Sequence, residues 1–347
     1  MHFLQKIVAA LCTLVLSFVT VSCNNVPELK SETYYDMFDT FVTVMAYGED
    51  DESFEENCKK AKEALYECSV LFDIYREYDG KNNLATVNKN AGIKAVEVDE
   101  NIIDLLEFSI EMHEKTQGRL NVAMGSVISL WHDCREKNAK EPGSAPLPSM
   151  TELEAAAEHT DISCVKIDKE KSTVYLEDGE MSLDAGAVAK GFAADIAVRI
   201  LRESGITDGY AVNIGGNVVT VGEKYKDTAW RISVQSPYSE YNTNIASVEV
   251  RDLSLVSSGT YERNFELDGK RYHHIIDKDT LMPSEYFDGV SVLGGSSAMC
   301  DALSTALFCM PQEEGMALIE SMDGVEALWV KDGKITRSPG FPEDKQS

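Results

Sequence analysis

Positive charge is scarce in this 347-residue chain: 32 lysines and arginines face 59 aspartates and glutamates, a net charge of −27 at pH 7. So acidic a surface excludes a protein that tracks nucleic acid by neutralising its phosphates. It fits a soluble or surface-displayed domain. A dianionic ligand would need local cations, a metal ion or backbone N–H groups to hold it. None of the 8 cysteines forms a CxxC pair, which removes the usual zinc signature. The G-x-x-x-x-G-K-[ST] loop, the G-x-G-x-x-G fingerprint and the G-x-S-x-G elbow are also missing. There is no internal repeat and no low-complexity tract. What is present has globular proportions, 44% hydrophobic and 26% charged. The length suits one large domain or two ordinary ones with a substantial core.

The first 23 residues, MHFLQKIVAALCTLVLSFVTVSC, stand apart. Lys6 precedes an apolar run from Ile7 to Val21, and small Ser22 comes before Cys23. This reads as a secretory signal, with an uncleaved membrane anchor as the alternative. The end resembles a bacterial lipobox in which Thr20 replaces the usual Leu. Cys23 would then carry lipid, and residues 24–31 would tether an exported lipoprotein to the outer face of the cell membrane or in the periplasm. Of the remaining cysteines, Cys58 and Cys68 could bridge or could be free buried thiols.

Patterning organises the rest. FVTVMAYG (Phe41–Gly48) alternates as a strand does. Helical periodicity runs from Glu52 to Leu71 and from Asn101 to Thr116, with Gly118 as a stop signal. Residues Glu136–Ser149 carry three prolines and read as a loop. A helix begins at Thr151 after a Ser149/Thr151 cap, VKID and STVYLED read as a hairpin, and Ala187–Glu203 is a strong helix. Strands follow at YAVNIGGNVVTVG, AWRISVQ, ASVEV and LSLVSSG. Then GVSVLG leads into the apolar helix around CDALSTALF. Helix Glu313–Ser321 and strand EALWV come last, before a tail from about Pro339. Strands and helices mix without a βαβ rhythm, so the class is α+β.

Four stretches carry chemistry. In CDALSTALF, Asp301, Ser304 and Thr305 are spaced i, i+3, i+4 and share one helix face. A carboxylate and a hydroxyl one turn apart offer oxygen ligands for Mg²⁺; alternatively, Asp301 caps a backbone or pairs with an arginine. In SLDAGAVAKGFAAD, Asp184 ends a strand, and small residues allow a tight turn into a helix with Lys190 in its first turn. Such a turn can take a phosphate, or it can simply pack closely. NIGG places paired glycines inside a strand, which reads as a bulge or a close backbone approach. In Ser257–Pro283, Asp268-Gly269 makes a hairpin turn, and His273 and His274 on the returning strand point to opposite sides. One of the two can be buried as a structural residue. A Ser/His set with Ser257, Ser258 or Asp277 is conceivable, but no elbow motif supports it.

Taken together and in order, these stretches resemble the ApbE family, the FAD:protein FMN transferases. The family's D-x-G-A-x-A-K-G-x-A-x-D is matched by DAGAVAKGFAAD, and its N-x-G-G by NIGG. Its S-G-x-Y…H-I-I-D-x-x-T-x-x-P is matched by Ser258–Pro283, and its A-M-x-x-D-A-L-x-T-A-L-F by AMCDALSTALF. The resemblance covers roughly Tyr35 to Val330. It implies a single α+β, T-fold-like domain over residues 32–338, with mixed sheets and packed helices, and a disordered tail over 339–347.

The resemblance also implies roles. Such enzymes split FAD, release AMP and join FMN to a threonine of an acceptor protein, using Mg²⁺ held by Asp301, Thr305 and the carbonyl of Ala187. Met37 would border the flavin and Tyr75 would stack on it, with Tyr78 as rival. Asp184 and Lys190 would line the phosphate and adenosine side, Ile275 would lie beside the cofactor, and His274 would serve acid–base work or acceptor positioning. Arg119, Leu120 and Asn121 fall in the segment that contacts the adenine. There GRLNVAMGSVISLW departs from the family's G-x-F-D-x-T: Leu120, Asn121 and Ala123 replace Phe, Asp and Thr. Asn82, Asn83 and Leu84 depart as well. The implied partners are FAD and an acceptor bearing D-G-x-x-S/T-x-A-T, expected to be a subunit of a membrane redox complex. That motif does not occur in this chain, so self-flavinylation is not expected. Two rival readings remain: an FAD pyrophosphatase that transfers to water, and a non-catalytic flavin-binding lipoprotein.

Overall fold

The computed structural model describes residues 26–238 and 243–343. The signal segment with Cys23 and the start of the tether lie outside the described residues. In chain order the elements are β1 (Leu29–Met37), β2 (Thr40–Tyr47), α1 (Asp51–Leu71), α2 (Leu84–Lys89), β3 (Val96–Glu97), α3 (Glu100–Lys115), α4 (Gly125–Lys140), α5 (Met150–Ala157), β4 (Val165–Asp168) and β5 (Thr173–Leu176). They continue as α6 (Ala189–Glu203), β6 (Tyr210–Ile214), β7 (Asn217–Val221), β8 (Trp230–Gln235), β9 (Asn244–Val250), β10 (Ser254–Gly259), β11 (Asn264–Leu267) and β12 (Lys270–His273). The last are β13 (Gly289–Gly294), α7 (Ser297–Phe308), α8 (Gln312–Glu320), β14 (Glu326–Lys331) and β15 (Lys334–Arg337).

An eight-stranded sheet, ordered β1-β2-β6-β7-β10-β13-β14-β15, organises the molecule, and every neighbouring pair in it is antiparallel. Its inner strands β6, β10, β13 and β14 bury apolar residues on both faces, so both need cover. Val212, Val256, Val292 and Trp329 point into the main core against the helices. Ala211, Leu255, Leu293 and Leu328 point the other way, into a second core shared with the β8–β9 hairpin. A third cluster joins α4, α5 and the β11–β12 hairpin through Trp131, Leu153 and Phe265.

Helix α6 repeats small apolar residues at Ala189, Ala193 and Ala197, and these are buried. The face toward α7 is a different one, formed by Gly191 and Asp195. Helix α7 is nearly apolar throughout and buried on all sides but Met299 and Thr305. The expected cap of α5 is present as a reciprocal Ser149–Glu152 capping box.

Several expectations need correction. YAVNIGGNVVTVG is not one bulged strand. Gly215 and Gly216 take φ of +54° and +97°, a left-handed turn open to glycine, so the segment folds back as β6 and β7. Helix α4 runs to Lys140, into the stretch that its prolines suggested was loop. Strand β15 follows β14, and Phe341 packs into the second core, past the boundary at residue 338. β1 begins inside the segment read as a tether. Cys58 and Cys68 are both free and buried. Ten residues apart on α1, they are separated by about 15 Å, too far to bridge.

Candidate active site

A cavity of about 790 Å³ opens where the β1–β2 turn, the loop after α1, helices α4, α6 and α7 and the β12 end converge. Of the residues singled out in the sequence, Tyr75, Arg119, Leu120, Asn121, Asp184, Ala187, Lys190, His274, Ile275, Asp301 and Thr305 line it. Met37 does not; it is 1% exposed and belongs to the main core, while its neighbours Asp36 and Phe38 face the cavity.

One wall comes from the α6–α7 crossing. A Cβ on Gly191 would lie 2.3 Å from the Ser297 carbonyl and 2.7 Å from Asp301 Cβ, so only glycine permits this approach. Gly191 N–H lies in the first turn of α6, which begins at Ala189, and has no carbonyl of its own helix to serve. It donates instead to Asp301 Oδ2 at 2.9 Å. Among the described residues no hydrogen bond reaches the Ala187 carbonyl, and the Thr305 hydroxyl also makes none. Lys190 Nζ stands 3.5 Å from Asp301 Oδ1. The carboxylate therefore does cap a backbone group, as the bland reading had it, while its second oxygen remains at the cavity. Ser304, the third member of the stripe, pairs with Ser258 at 2.8 Å. No group of three or more His, Cys, Asp or Glu suited to a metal occurs among the described residues. The donor set here is different in kind: a carboxylate, a hydroxyl and a carbonyl.

The final Asp of the second motif has a clear structural task. Asp195 on α6 accepts from Ser296 Oγ (2.7 Å), Ser297 N (2.8 Å) and Ala298 N (3.0 Å), capping α7 from the side. Burial pushes its pKa up against those bonds. Burial likewise raises Asp184, against the Gly186 N–H and the charges of Arg263 and Arg135. It also raises Glu262, against Lys190 and Arg263.

The two histidines separate cleanly. His273 Nε2 donates to the Ser284 carbonyl at 2.8 Å and its Nδ1 accepts from Ile275 N at 3.2 Å, so it is a satisfied structural residue. His274 Nδ1 is buried with no partner. Burial first, and then Arg263, press its pKa down to about 3, so the ring is neutral.

The segment from Arg119 to Ala123 is largely committed to the protein. Leu120 N–H donates to Thr116 Oγ1 and its carbonyl meets His113 Nδ1. Asn121 bonds the Thr160 carbonyl through Nδ2 and takes the Ala123 N–H through Oδ1, both at 2.9 Å. Arg119 pairs with Asp279 at 2.6 Å.

Sequence reasoning missed the α4 face. Ile128, Trp131, His132 and Arg135 line the cavity at i, i+3, i+4, i+7, and that spacing was the available signal. His132 stacks on Tyr75 with centroids 4.7 Å apart and planes at 26°. The rival Tyr78 also lines the cavity, but its hydroxyl is tied to Asp73 Oδ2 at 2.9 Å.

Residues 38–329 match the model described as the ApbE family. The chain is 36% identical over 273 residues to an FAD:protein FMN transferase of Treponema pallidum, covering 74% of this chain and 73% of that protein. Its fold is similar to the ApbE protein of Thermotoga maritima, with a TM-score of 0.79, 25% identity and coverage of 90% and 98% of the two chains. It is also similar to the flavin transferase ApbE of Vibrio cholerae, with a TM-score of 0.74, 25% identity and coverage of 91% and 98%.

Proposed function

The chain belongs to the ApbE family, and from that membership we propose that it is a magnesium-dependent FAD:protein FMN transferase. In the reaction, an acceptor threonine hydroxyl attacks the flavin-side phosphorus of FAD. One P–O bond forms, the bond to AMP breaks, and the hydroxyl proton passes to a base or to solvent. The observation that best supports this reading is the wall where, among the described residues, the Ala187 carbonyl and the Thr305 hydroxyl have no hydrogen-bond partner and Asp301 turns its second oxygen to the cavity beside Lys190. Hard oxygens of this kind suit Mg²⁺. Ala187, Asp301 and Thr305 would hold the ion, which when bound neutralises the pyrophosphate and the charge on the departing AMP. Lys190 adds a fixed cation beside them, so an acidic protein can bind an anionic substrate.

His274, neutral and unpartnered at Nδ1, would receive or orient the acceptor hydroxyl. A pyrophosphate bound nearby would raise its basicity, since an adjacent anion favours the imidazolium. The acceptor motif D-G-x-x-S/T-x-A-T, a redox-complex subunit as partner and lipid on Cys23 rest on sequence alone.

The test incubates the purified chain with FAD and Mg²⁺, with and without an acceptor domain bearing the threonine motif. A flavin-fluorescent acceptor band after denaturation, with AMP in equal amount, is the expected result. AMP with free FMN and no band would make the enzyme a pyrophosphatase. No AMP in either tube would leave a flavin-binding protein.

A further inference from the structure

Tyr75 sits in the loop after α1, 57% exposed although it lines the cavity. Asp73 fixes that loop: its Oδ1 takes the backbone N–H of Tyr75 (2.7 Å) and of Arg76 (3.1 Å). One face of the tyrosine ring is occupied by His132 from α4. The imidazole is itself held, because Arg135 Nη2 donates to its Nδ1 at 2.9 Å. A guanidinium cannot accept a hydrogen bond, so Nδ1 is the acceptor and the ring proton is on Nε2. The Tyr75 hydroxyl lies 3.3 Å from the same nitrogen. Arg135 is thus a brace, His132 a backing ring, and Tyr75, more than half exposed, the ring that keeps surface toward the cavity. Between centroids 4.7 Å apart there is no room for a third ring.

We propose that His132 is a positioning residue for flavin, backing Tyr75 so that the isoalloxazine of FAD stacks on the opposite face of the tyrosine. The inference rests on the flavin-transferase reading of the same cavity. It assigns a task to a side chain just beyond the segment, ending at Trp131, in which the chain departs from the family's pattern. An unbacked tyrosine on a loop would swing among rotamers, and the flavin would have to order it on binding. The braced stack removes that cost beforehand.

The decisive measurement titrates the whole protein with three ligands: FAD and FMN by flavin fluorescence, and ADP, which lacks the isoalloxazine, by calorimetry. Wild type, His132→Ala and His132→Phe are compared. Loss of one stacked ring should weaken FAD and FMN about two- to twelvefold in His132→Ala. ADP affinity should be unchanged, which also reports an intact fold. His132→Phe should recover most of the flavin affinity. Wild-type flavin affinity in His132→Ala, or an equal loss for ADP, would overturn the positioning role. A wild-type protein that binds neither FAD nor FMN would overturn the transferase reading and this inference with it.

Discussion

At one end of the cavity α6 and α7 cross so closely that a single methyl group cannot be added at Gly191, and two carboxylates, Asp195 and Asp301, are spent on backbone N–H groups. At the other end Tyr75 stands on a loop, over half exposed, and is held by side chains: His132 behind it and Asp73 beneath it. The first end is rigid because its polar groups have backbone partners inside the core. The second can adapt because its contacts are between side chains at a rim. Charge neutralisation in phosphoryl transfer demands fixed donors, whereas recognition of a planar ring tolerates small shifts of the rings that stack on it.

The largest expected effect comes from breaking the rigid end chemically while sparing its fold. Asp301→Asn retains an acceptor for the Gly191 N–H but loses the charge. AMP release should fall by on the order of 10²-fold or more, with little change in Tm; full activity at limiting Mg²⁺ would remove Asp301 from the metal site. Gly191→Ala breaks the same end by packing. It should destabilise by about 1–3 kcal/mol and lower activity with it, read as a drop in the urea midpoint. Asp195→Ala should cost about 1–2 kcal/mol through the lost α7 cap, with a smaller effect on turnover. If its Tm matched wild type, the cap would carry no weight.

Near neutral pH the smallest effect is a pH dependence, which grows as pH falls. His274 is held neutral in the fold, with its pKa near 3, and takes up a proton on unfolding below about 6.5. Its contribution to stability is present above 6.5 and is lost as pH falls toward 3. Asp184, Asp195 and Glu262, raised by burial, have the opposite sign: they favour the fold at acid pH and lose that contribution as pH rises through their raised values. His274→Gln should therefore gain on wild type progressively as pH drops below 6.5, measured as the difference in Tm across a pH series. A constant difference would mean that the ring is not buried as described.

The rigid end was legible in the sequence because its parts are local. Asp301 and Thr305 share a helix face by spacing alone, and DAGAVAKG announces a tight turn. What spacing could not show is that Gly191 and Asp301, 110 positions apart, are bonded to each other. The paired glycines of NIGG were visible, but their φ values were not, and a bulge was expected where a hairpin turn exists. The α4 face went unread because the prolines after it suggested a loop, and because its partner Tyr75 lies 57 residues away. Met37 was expected beside the flavin, yet the shift of register between Tyr34 and Met37 turns it into the core with Tyr34.

The most direct measurement concerns Thr305, whose hydroxyl makes no protein hydrogen bond, so that its removal disturbs little else. AMP release from FAD would be titrated against Mg²⁺ for wild type and Thr305→Ala, with FMN binding followed in parallel. The predicted result is a Mg²⁺ requirement shifted to higher concentration in the variant while FMN affinity stays the same. Superimposable Mg²⁺ curves would contradict the placement of the metal on this wall and, with it, the division of the cavity into a metal end and a flavin end.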